Sequence, residues 1–329
     1  MERVSIVVPT WTRRALLEKL LRGLERQTVR PTEVIVVDNG SEDDSAAAAE
    51  RAGAKVIRLE RNMGFASAVN RGVESCGNEW MAVVNNDVEP REDWLERLLE
   101  GARAKDAWFA TGKLMEAGDP GMIDGAWDEI ARSGCAERCG SGLPDGHRWN
   151  ESRPIRFAPF TAVLCRRRLF DEVGGLDERF ESYLEDVDFG LRCALRGLGG
   201  VYVPGAVAWH RGSATLGKWN GETVRRIARN QLSLVAKHYP EGWFRYYGWP
   251  VVVGQTLWGA VAMRHGAGGA FIRGKWEGVR GFRRMRRTAA PAHEREAIRQ
   301  ILKESEAEIR TLLQETGFST YWKVYCALT

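Results

Sequence analysis

The chain lacks a clean run of about 20 apolar residues, the length a membrane-spanning helix needs. Its most apolar segment, 242–263, is broken by Arg245, Pro250 and several glycines. The N-terminus enters a β-branched run almost at once, with no charged n-region followed by an apolar h-region, so no secretory leader is expected. The six cysteines (Cys76, Cys135, Cys139, Cys165, Cys193 and Cys326) are scattered. Only Cys135 and Cys139 are close, and no second Cys or His pair completes a zinc pattern. A reduced, cytosolic setting is the expectation. No long-period repeat or low-complexity tract occurs. No G-x-G-x-x-G follows the first apolar run, and there is no G-x-x-x-x-G-K-[ST]. The dinucleotide fingerprint and the phosphate loop are therefore both unsupported.

What is present is enough chain, 329 residues, for one large domain and an appendage. The net charge of +4 is unevenly spread. Residues 271–287 (FIRGKWEGVRGFRRMRR) alone carry a net +6, from seven Arg or Lys and one Glu. The remainder is then slightly acidic. Basic character is local, which points to a surface patch for an anionic partner.

The first hundred residues alternate between two periods. Val4–Val8, Val34–Val37 and Lys55–Leu59 read as strands, and 14–26, 41–52 and 65–73 as helices. A fourth apolar run, Trp80–Val84, ends abruptly in Asn85–Asn86–Asp87. Alternating strands and helices predict a parallel sheet covered on both faces. Such sheets bind ligands at the carboxyl ends of their strands. Asp87 is there to hold a divalent cation through oxygen, or else to close an Asx-turn. Asp38 ends the second strand, and is either an acceptor for a nucleobase imide or a turn-former. Arg61–Asn70 sets Gly64 and small residues at a helix start, which offers N–H groups to an anion or simply packs on the sheet.

Residues 116–155 show little periodicity and are expected to form a long irregular excursion. Order returns with a strand at 160–165, a short helix and the tight turn 173–177. Tyr183–Arg192 then places Glu185, Asp186 and Asp188 within four positions. They either cap a helix or include a general base. His210 closes the apolar run 206–209. A lone histidine there is satisfied internally or completes a cation site with Asp87.

Seven of these segments, taken in order, resemble family-two glycosyltransferases with the GT-A fold. They are VSIVVPTWTR (4–13), EVIVVDNGSEDDS (33–45), RNMGFASAVNRGV (61–73), VVNNDVEP (83–90), FTAVLCRRRLFDEVGGLDERF (160–180), YLEDVDFGLRC (183–193) and VPGAVAWHRGSAT (203–215). More narrowly, the pattern resembles the bacterial rhamnosyltransferase-like and galactofuranosyltransferase-like members. The resemblance covers about two-thirds of the chain. It implies a mostly parallel, Rossmann-like sheet flanked by helices. It implies donor contacts from Pro9, Thr10, Arg13, Asp38, Asn62, Gly64, Phe65, Asn70, Asn86 and Asp87. Mg²⁺ or Mn²⁺ would be held by Asp87 and His210, with Asn85 as a third ligand. Asp186 would be the base, with Glu185 beside it, and Gly174, Gly175, Leu176 and Glu185 would line the acceptor pocket. One departure stands out. The D-x-D motif appears as Asn85–Asn86–Asp87, so its first position brings an oxygen without a charge.

The resemblance implies an inverting, metal-dependent hexosyltransferase. Its donor would be dTDP-rhamnose or, next, a UDP-sugar, and its acceptor a glycan or lipid-linked hydroxyl in cell-envelope polysaccharide synthesis. Two other readings remain at this stage. A sugar-phosphate nucleotidyltransferase would need a Gly-rich triphosphate loop that Pro9–Thr10–Trp11–Thr12 lacks. An inactive sugar-nucleotide-binding module is suggested only by Asn85 and Asn86.

The expected division is a catalytic domain over 1–220 (nucleotide half 1–115, acceptor half 116–220) and a helical extension over 221–329. In the extension, aromatic residues crowd 243–263. Ile272, Trp276, Val279, Phe282 and Met285 then recur every three or four residues among Arg and Lys. Such a helix lies on an anionic membrane surface, here through 243–287. Nucleic acid is not expected, since no binding fold accompanies the patch. The helix expected over 294–314 is a candidate oligomer contact. The localisation expected is peripheral, on the cytoplasmic face of the plasma membrane.

Overall fold

A computed structural model describes residues 3–212, 219–287 and 294–329. The last three residues of the 203–215 segment lie outside the described residues. The strands are β1 (Val4–Thr10), β2 (Glu33–Asp38), β3 (Lys55–Arg58), β4 (Trp80–Val84), β5 (Val88–Pro90), β6 (Phe109–Glu116) and β7 (Asp119–Gly125). They continue as β8 (Asp128–Ile130), β9 (Ala136–Arg138), β10 (Leu143–Pro144), β11 (Arg153–Ile155), β12 (Ala162–Arg166) and β13 (Gly200–His210). The helices are α1 (Arg14–Glu25), α2 (Ser45–Arg51), α3 (Phe65–Glu74), α4 (Trp94–Ala104), α5 (Leu169–Val173) and α6 (Glu185–Leu195). After them come α7 (Gly221–His238), α8 (Trp243–Arg264), α9 (Gly268–Arg286), α10 (Arg295–Thr316) and α11 (Thr320–Leu328).

The chain forms two compact units. One takes Met1–Trp127 and Gly140–Thr215, the other Asp128–Cys139 and Leu216–Thr329. The division is thus not a single cut. The hairpin of β8 and β9, which the sequence pattern left inside the acceptor half, belongs with the helices. Its ties are polar and long-range: Ile130 N–H donates to Ser305 Oγ (2.7 Å), and Arg132 pairs with Glu306 (2.6 Å). No periodicity in 128–139 announces such partners.

The first unit is built on an 11-stranded sheet. Its early half is parallel, in the order β4-β1-β2-β3. β12 then enters antiparallel between β4 and β6, and β13 runs parallel to β6 on the other side. The sheet is therefore mixed, with its parallel part where strand and helix alternate. The excursion expected over 116–155 instead contains β7 to β11. These strands are short and carry Gly, Pro and bulges, which hides the period of two.

The core follows from the two periods. Val4, Ile6 and Val8 present one face of β1 to Leu17, Leu20, Leu21 and Leu24 of α1. Leu95, Leu98, Leu99 and Ala102 of α4 join the same cluster. On the opposite face α3 lies close: a Cβ on Gly72 would sit 2.3 Å from Val7 Cγ1. Only a glycine permits that approach.

The second unit is helical. α9 meets α7 through Gly274 and Gly278, one turn apart. A Cβ on Gly274 would fall 2.1 Å from the Arg225 carbonyl oxygen. Val253, Ile309, Leu313, Trp322 and Tyr325 form a separate apolar cluster. Among the described residues no helix is long and apolar enough to cross a membrane.

Candidate active site

Parallel pairing aligns the carboxyl ends of the early strands. Thr10 at the end of β1 stands opposite Asp38 at the end of β2. Beyond Pro9 and Thr10 the chain turns through Thr12 and Arg13, both left-handed (φ 60 and 68). Each such residue costs about 1–2 kcal/mol, so the turn must be held. Thr12 N–H donates to Ser41 Oγ (2.7 Å), Arg14 N–H to Asp43 (3.2 Å) and Asn86 Nδ2 to Thr12 O (3.3 Å). Ser41 and Asp43 therefore serve the loop, and α2 starts only at Ser45. The sequence pattern had begun that helix at Ser41.

At the β2 end the Asx side chains knit the loops together. Asp38 Oδ1 accepts from Ser41 N–H (3.2 Å). Asn39 was not singled out by sequence, yet it is the most engaged residue here. Its Nδ2 donates to Gly64 O (3.1 Å) and Asn62 Oδ1 (3.2 Å), and its Oδ1 accepts from Met63 N–H (2.8 Å). Gly64 has φ 89, and an added Cβ would lie 2.9 Å from Glu181 Cα. The start of α3 is covered by that segment. Phe65 N–H donates to Ser182 Oγ (3.2 Å) and Ala66 N–H to Glu181 O (2.9 Å). These two N–H groups are thus engaged within the chain rather than open to an anion, as the helix start had suggested.

The same segment delivers the acidic helix. Glu181, Tyr183 and Leu184 have positive φ, and α6 follows with Glu185 and Asp186 in its first turn. Glu185 is buried, and Asp186 is half-buried and accepts from Val187 N–H (2.9 Å). Asp188 is fully buried and pairs with Arg192. That arginine also donates to the carbonyls of Val173 (2.6 Å) and Gly175 (2.8 Å), which fixes the Gly174–Gly175 turn. Asn70 braces the same turn from α3. Its Oδ1 accepts from Leu176 N–H (2.8 Å) and its Nδ2 donates to Leu176 O (2.9 Å). Asp188 and Asn70 are thus committed to architecture, while Asp186 keeps a position at a helix start.

The β4 end is different. Asn86 Nδ2 donates to Thr10 Oγ1 (2.7 Å), tying the β4 and β1 ends together. Asn85 Oδ1 and Asp87 Oδ1, however, are buried with no hydrogen-bond partner. His210 ends β13, which pairs with β5 directly after Asp87 (His210 opposite Val88). Its Nε2 lies 3.4 Å from Asp87 Oδ1, beyond ordinary hydrogen-bond length, and its Nδ1 lies 2.8 Å from Asp124 Oδ2. Burial alone would lower the imidazole pKa, but the carboxylates of Asp124 and Asp87 outweigh it and raise it to about 9. Nearby, Arg13, Ala15, Leu16, Ala117, Gly118 and Arg211 line a recess of about 510 Å³.

A profile for glycosyl transferase family 2 matches residues 5–174, just over half of the chain. The chain belongs to glycosyl transferase family 2. Among its relatives is the N-acetylglucosaminyl-diphospho-decaprenol L-rhamnosyltransferase of Mycobacterium tuberculosis. It is 28% identical over 286 residues, covering 79% of this chain and 91% of that protein. The pre-mycofactocin glycosyltransferase of the same organism is 29% identical over 66% of this chain and 44% of its own length. In fold the chain is similar to GalNAc-T7, solved with UDP, GalNAc and Mn²⁺, at a TM-score of 0.64 and 15% identity. That match covers 94% of this chain and 58% of the other.

The mixed sheet with its flanking helices is therefore the GT-A fold of a glycosyltransferase. The residues present fit a divalent cation in their chemistry. Two buried oxygens without hydrogen bonds suit a hard ion, and imidazole Nε2 adds a nitrogen. Among the described residues no three of His, Cys, Asp and Glu converge as a complete cage. Asp124 engages the far side of the imidazole ring, so the protein offers part of a coordination sphere.

Proposed function

We propose that this glycosyltransferase inverts the anomeric centre of a sugar delivered by a nucleoside diphosphate, with dTDP-rhamnose favoured and a UDP-sugar next. The acceptor is a hydroxyl of a glycan or lipid-linked intermediate of the cell envelope. The observation that carries this reading is the β4 end, where Asp87 Oδ1 and Asn85 Oδ1 are buried without a hydrogen bond and His210 Nε2 lies 3.4 Å from the former. The decaprenol-linked substrate in the name of the mycobacterial relative supports the acceptor class and the sugar.

Asp87 and His210, with Asn85, would hold Mg²⁺ or Mn²⁺. When bound, such a cation supplies positive charge to the departing diphosphate. Asp38 faces the base, and Pro9, Thr10, Arg13, Asn62, Gly64 and Phe65 shape the nucleotide side. Asp186 takes the proton of the acceptor hydroxyl. The acceptor oxygen bonds to the anomeric carbon as the bond to the diphosphate breaks, and the electron pair leaves with the nucleotide. The work is positioning and electrostatics. The test is a donor screen scored by nucleotide release, with Mn²⁺ and with chelator. Release that needs both a dTDP- or UDP-sugar and Mn²⁺ is expected. Release unaffected by chelator contradicts the metal assignment.

The enzyme works as a peripheral protein at the cytoplasmic membrane face. The support is an exposed surface on the second unit. On α8, Arg245, Trp249, Val252 and Met263 are exposed at helical spacing; on α9, Ile272, Trp276, Val279 and Arg283 are. α8 packs on α9 through Trp243 with Phe282 and Trp258 with Phe271. Apolar and aromatic groups flanked by Arg273, Arg280 and Arg284 match an interface of anionic lipid. Vesicles containing phosphatidylglycerol should bind the protein, and Trp249→Ala with Trp276→Ala should weaken that binding at least tenfold. Equal binding to neutral and anionic vesicles contradicts this.

A further inference from the structure

We propose that Asp124 is a positioning residue for the cation site, holding the His210 ring through Nδ1 so that Nε2 faces Asp87 and is the nitrogen offered to the ion. The inference rests on the metal reading above and deepens it. Its starting point is a break in the strand register. Along the β6–β7 pair, Leu114 stands opposite Gly125 and Met115 opposite Ile123. One step on β6 spans two on β7, so Asp124 is the extra residue of a β-bulge. Bulges leave one residue outside the ladder and re-aim its side chain, and they gather beside active sites.

Here the bulge sends the carboxylate to the end of β13. Asp124 Oδ2 lies 2.8 Å from His210 Nδ1, and both side chains are largely buried. The third strand of this set fixes the other side, since β6 pairs with β13 up to Glu116 opposite His210. Ala117 N–H, just beyond β6, donates to the His210 carbonyl (2.9 Å). The loop leaving His210 is equally confined: a Cβ on Gly212 would meet Asp124 Oδ1 at 3.2 Å, at a backbone φ of 43.

A neutral imidazole has one N–H and one lone pair. With Nδ1–H given to Asp124, the nitrogen left for a cation is Nε2, 3.4 Å from Asp87 Oδ1, and a proton carried there would leave as the ion binds. Without Asp124 the ring is free to carry its proton on Nε2 instead, and that proton would occupy the face a cation needs. Carboxylates behind ligating histidines act in this way, and losing one typically weakens metal binding about 10–100-fold. No pattern of residues points to Asp124, which lies in the aperiodic 116–155 segment and reaches His210 only through the bulge.

The experiment is Mn²⁺ titration of the full chain with a saturating nucleoside diphosphate, followed by the EPR signal of free Mn²⁺. Electron spin-echo modulation by imidazole ¹⁴N is recorded on the bound ion. Asp124→Ala should weaken Mn²⁺ binding about 10–100-fold and abolish or shrink the ¹⁴N modulation. Asp124→Asn keeps an oxygen acceptor for Nδ1–H and should retain the modulation with a smaller loss of affinity. Circular dichroism checks that each variant is folded. If Asp124→Ala does not fold, retained modulation in Asp124→Asn with weakened affinity supports the role, and unchanged affinity overturns it. A folded Asp124→Ala with parental affinity and modulation also overturns it. A parent protein that binds Mn²⁺ without ¹⁴N modulation overturns the His210 assignment and the Asp124 role together, but leaves Asp87 standing.

Discussion

The ends of β2 and β4 are built from the same side chains and are put to opposite uses. At the β2 end, Asn39 spends both ends of its amide on the 62–64 loop, and Asp38 Oδ1 closes a turn. At the β4 end, Asn86 Nδ2 donates to Thr10 and Thr12, but its two neighbours differ. Asn85 Oδ1 and Asp87 Oδ1 are buried and accept no hydrogen bond from the chain, the latter having only the His210 imidazole at 3.4 Å. A buried acceptor without a donor costs free energy, about 1–3 kcal/mol, unless something outside the chain supplies the partner. The comparison teaches that an Asx cluster at a strand end is not itself a signal. Its unspent atoms are.

Four substitutions can break or sharpen that contrast. The largest effect is expected at the proton acceptor. Asp186→Asn should lower turnover about 10²–10⁴-fold, with donor binding by calorimetry unchanged; unchanged turnover removes Asp186 from the role. Asp87→Ala comes next, with kcat/KM falling about 10²–10³-fold. Asn85→Ala, which removes an oxygen but no charge, should stay within about tenfold in the same nucleotide-release assay. Equal and mild losses at both positions would dissolve the distinction between them. At the β2 end the effect moves from activity to stability. Asn39→Ala should cost about 1–3 kcal/mol, read as a lower melting temperature, with Mn²⁺ affinity kept.

Much of the first unit was legible in the sequence because it obeys simple periods. β1, β2, β4 and α1 are apolar runs or stripes bounded by turn residues, and they stand where the pattern placed them. The antiparallel half was not legible. β11 owes its existence to pairing with the distant β13, and a bulge erases the alternation of β7 around Asp124. Asn39 was equally silent, since an Asn beside Gly40 reads as any turn. In the second unit the helices of 221–238 and 268–286 follow from spacing. The attachment of the 128–139 hairpin depends on single polar contacts such as Ser305, and no pattern encodes those.

The smallest effect concerns the second unit alone. Lys275 lies within α9, its Nζ donating to Gln231 (2.8 Å) and Gln255 (2.6 Å). Burial lowers its pKa from 10.5 to about 7. Between those values the unfolded chain binds the extra proton, so this group's cost to stability is full below pH 7 and fades as pH rises towards 10.5. The melting temperature of Lys275→Met relative to the parent should therefore be highest at or below pH 7 and drop steadily towards pH 10. A difference independent of pH would show that the lysine is not buried as a charge.

The most direct test of the contrast between the two strand ends is calorimetric titration of dTDP and UDP with Mn²⁺ and with chelator, on the parent and on Asp87→Ala. The parent should bind nucleotide at least about tenfold more tightly with Mn²⁺, a difference of about 1.4 kcal/mol. Asp87→Ala should bind as the chelated parent does and ignore the metal. A parent indifferent to Mn²⁺, or an Asp87→Ala protein that keeps the full response, would contradict the cation site at the β4 end.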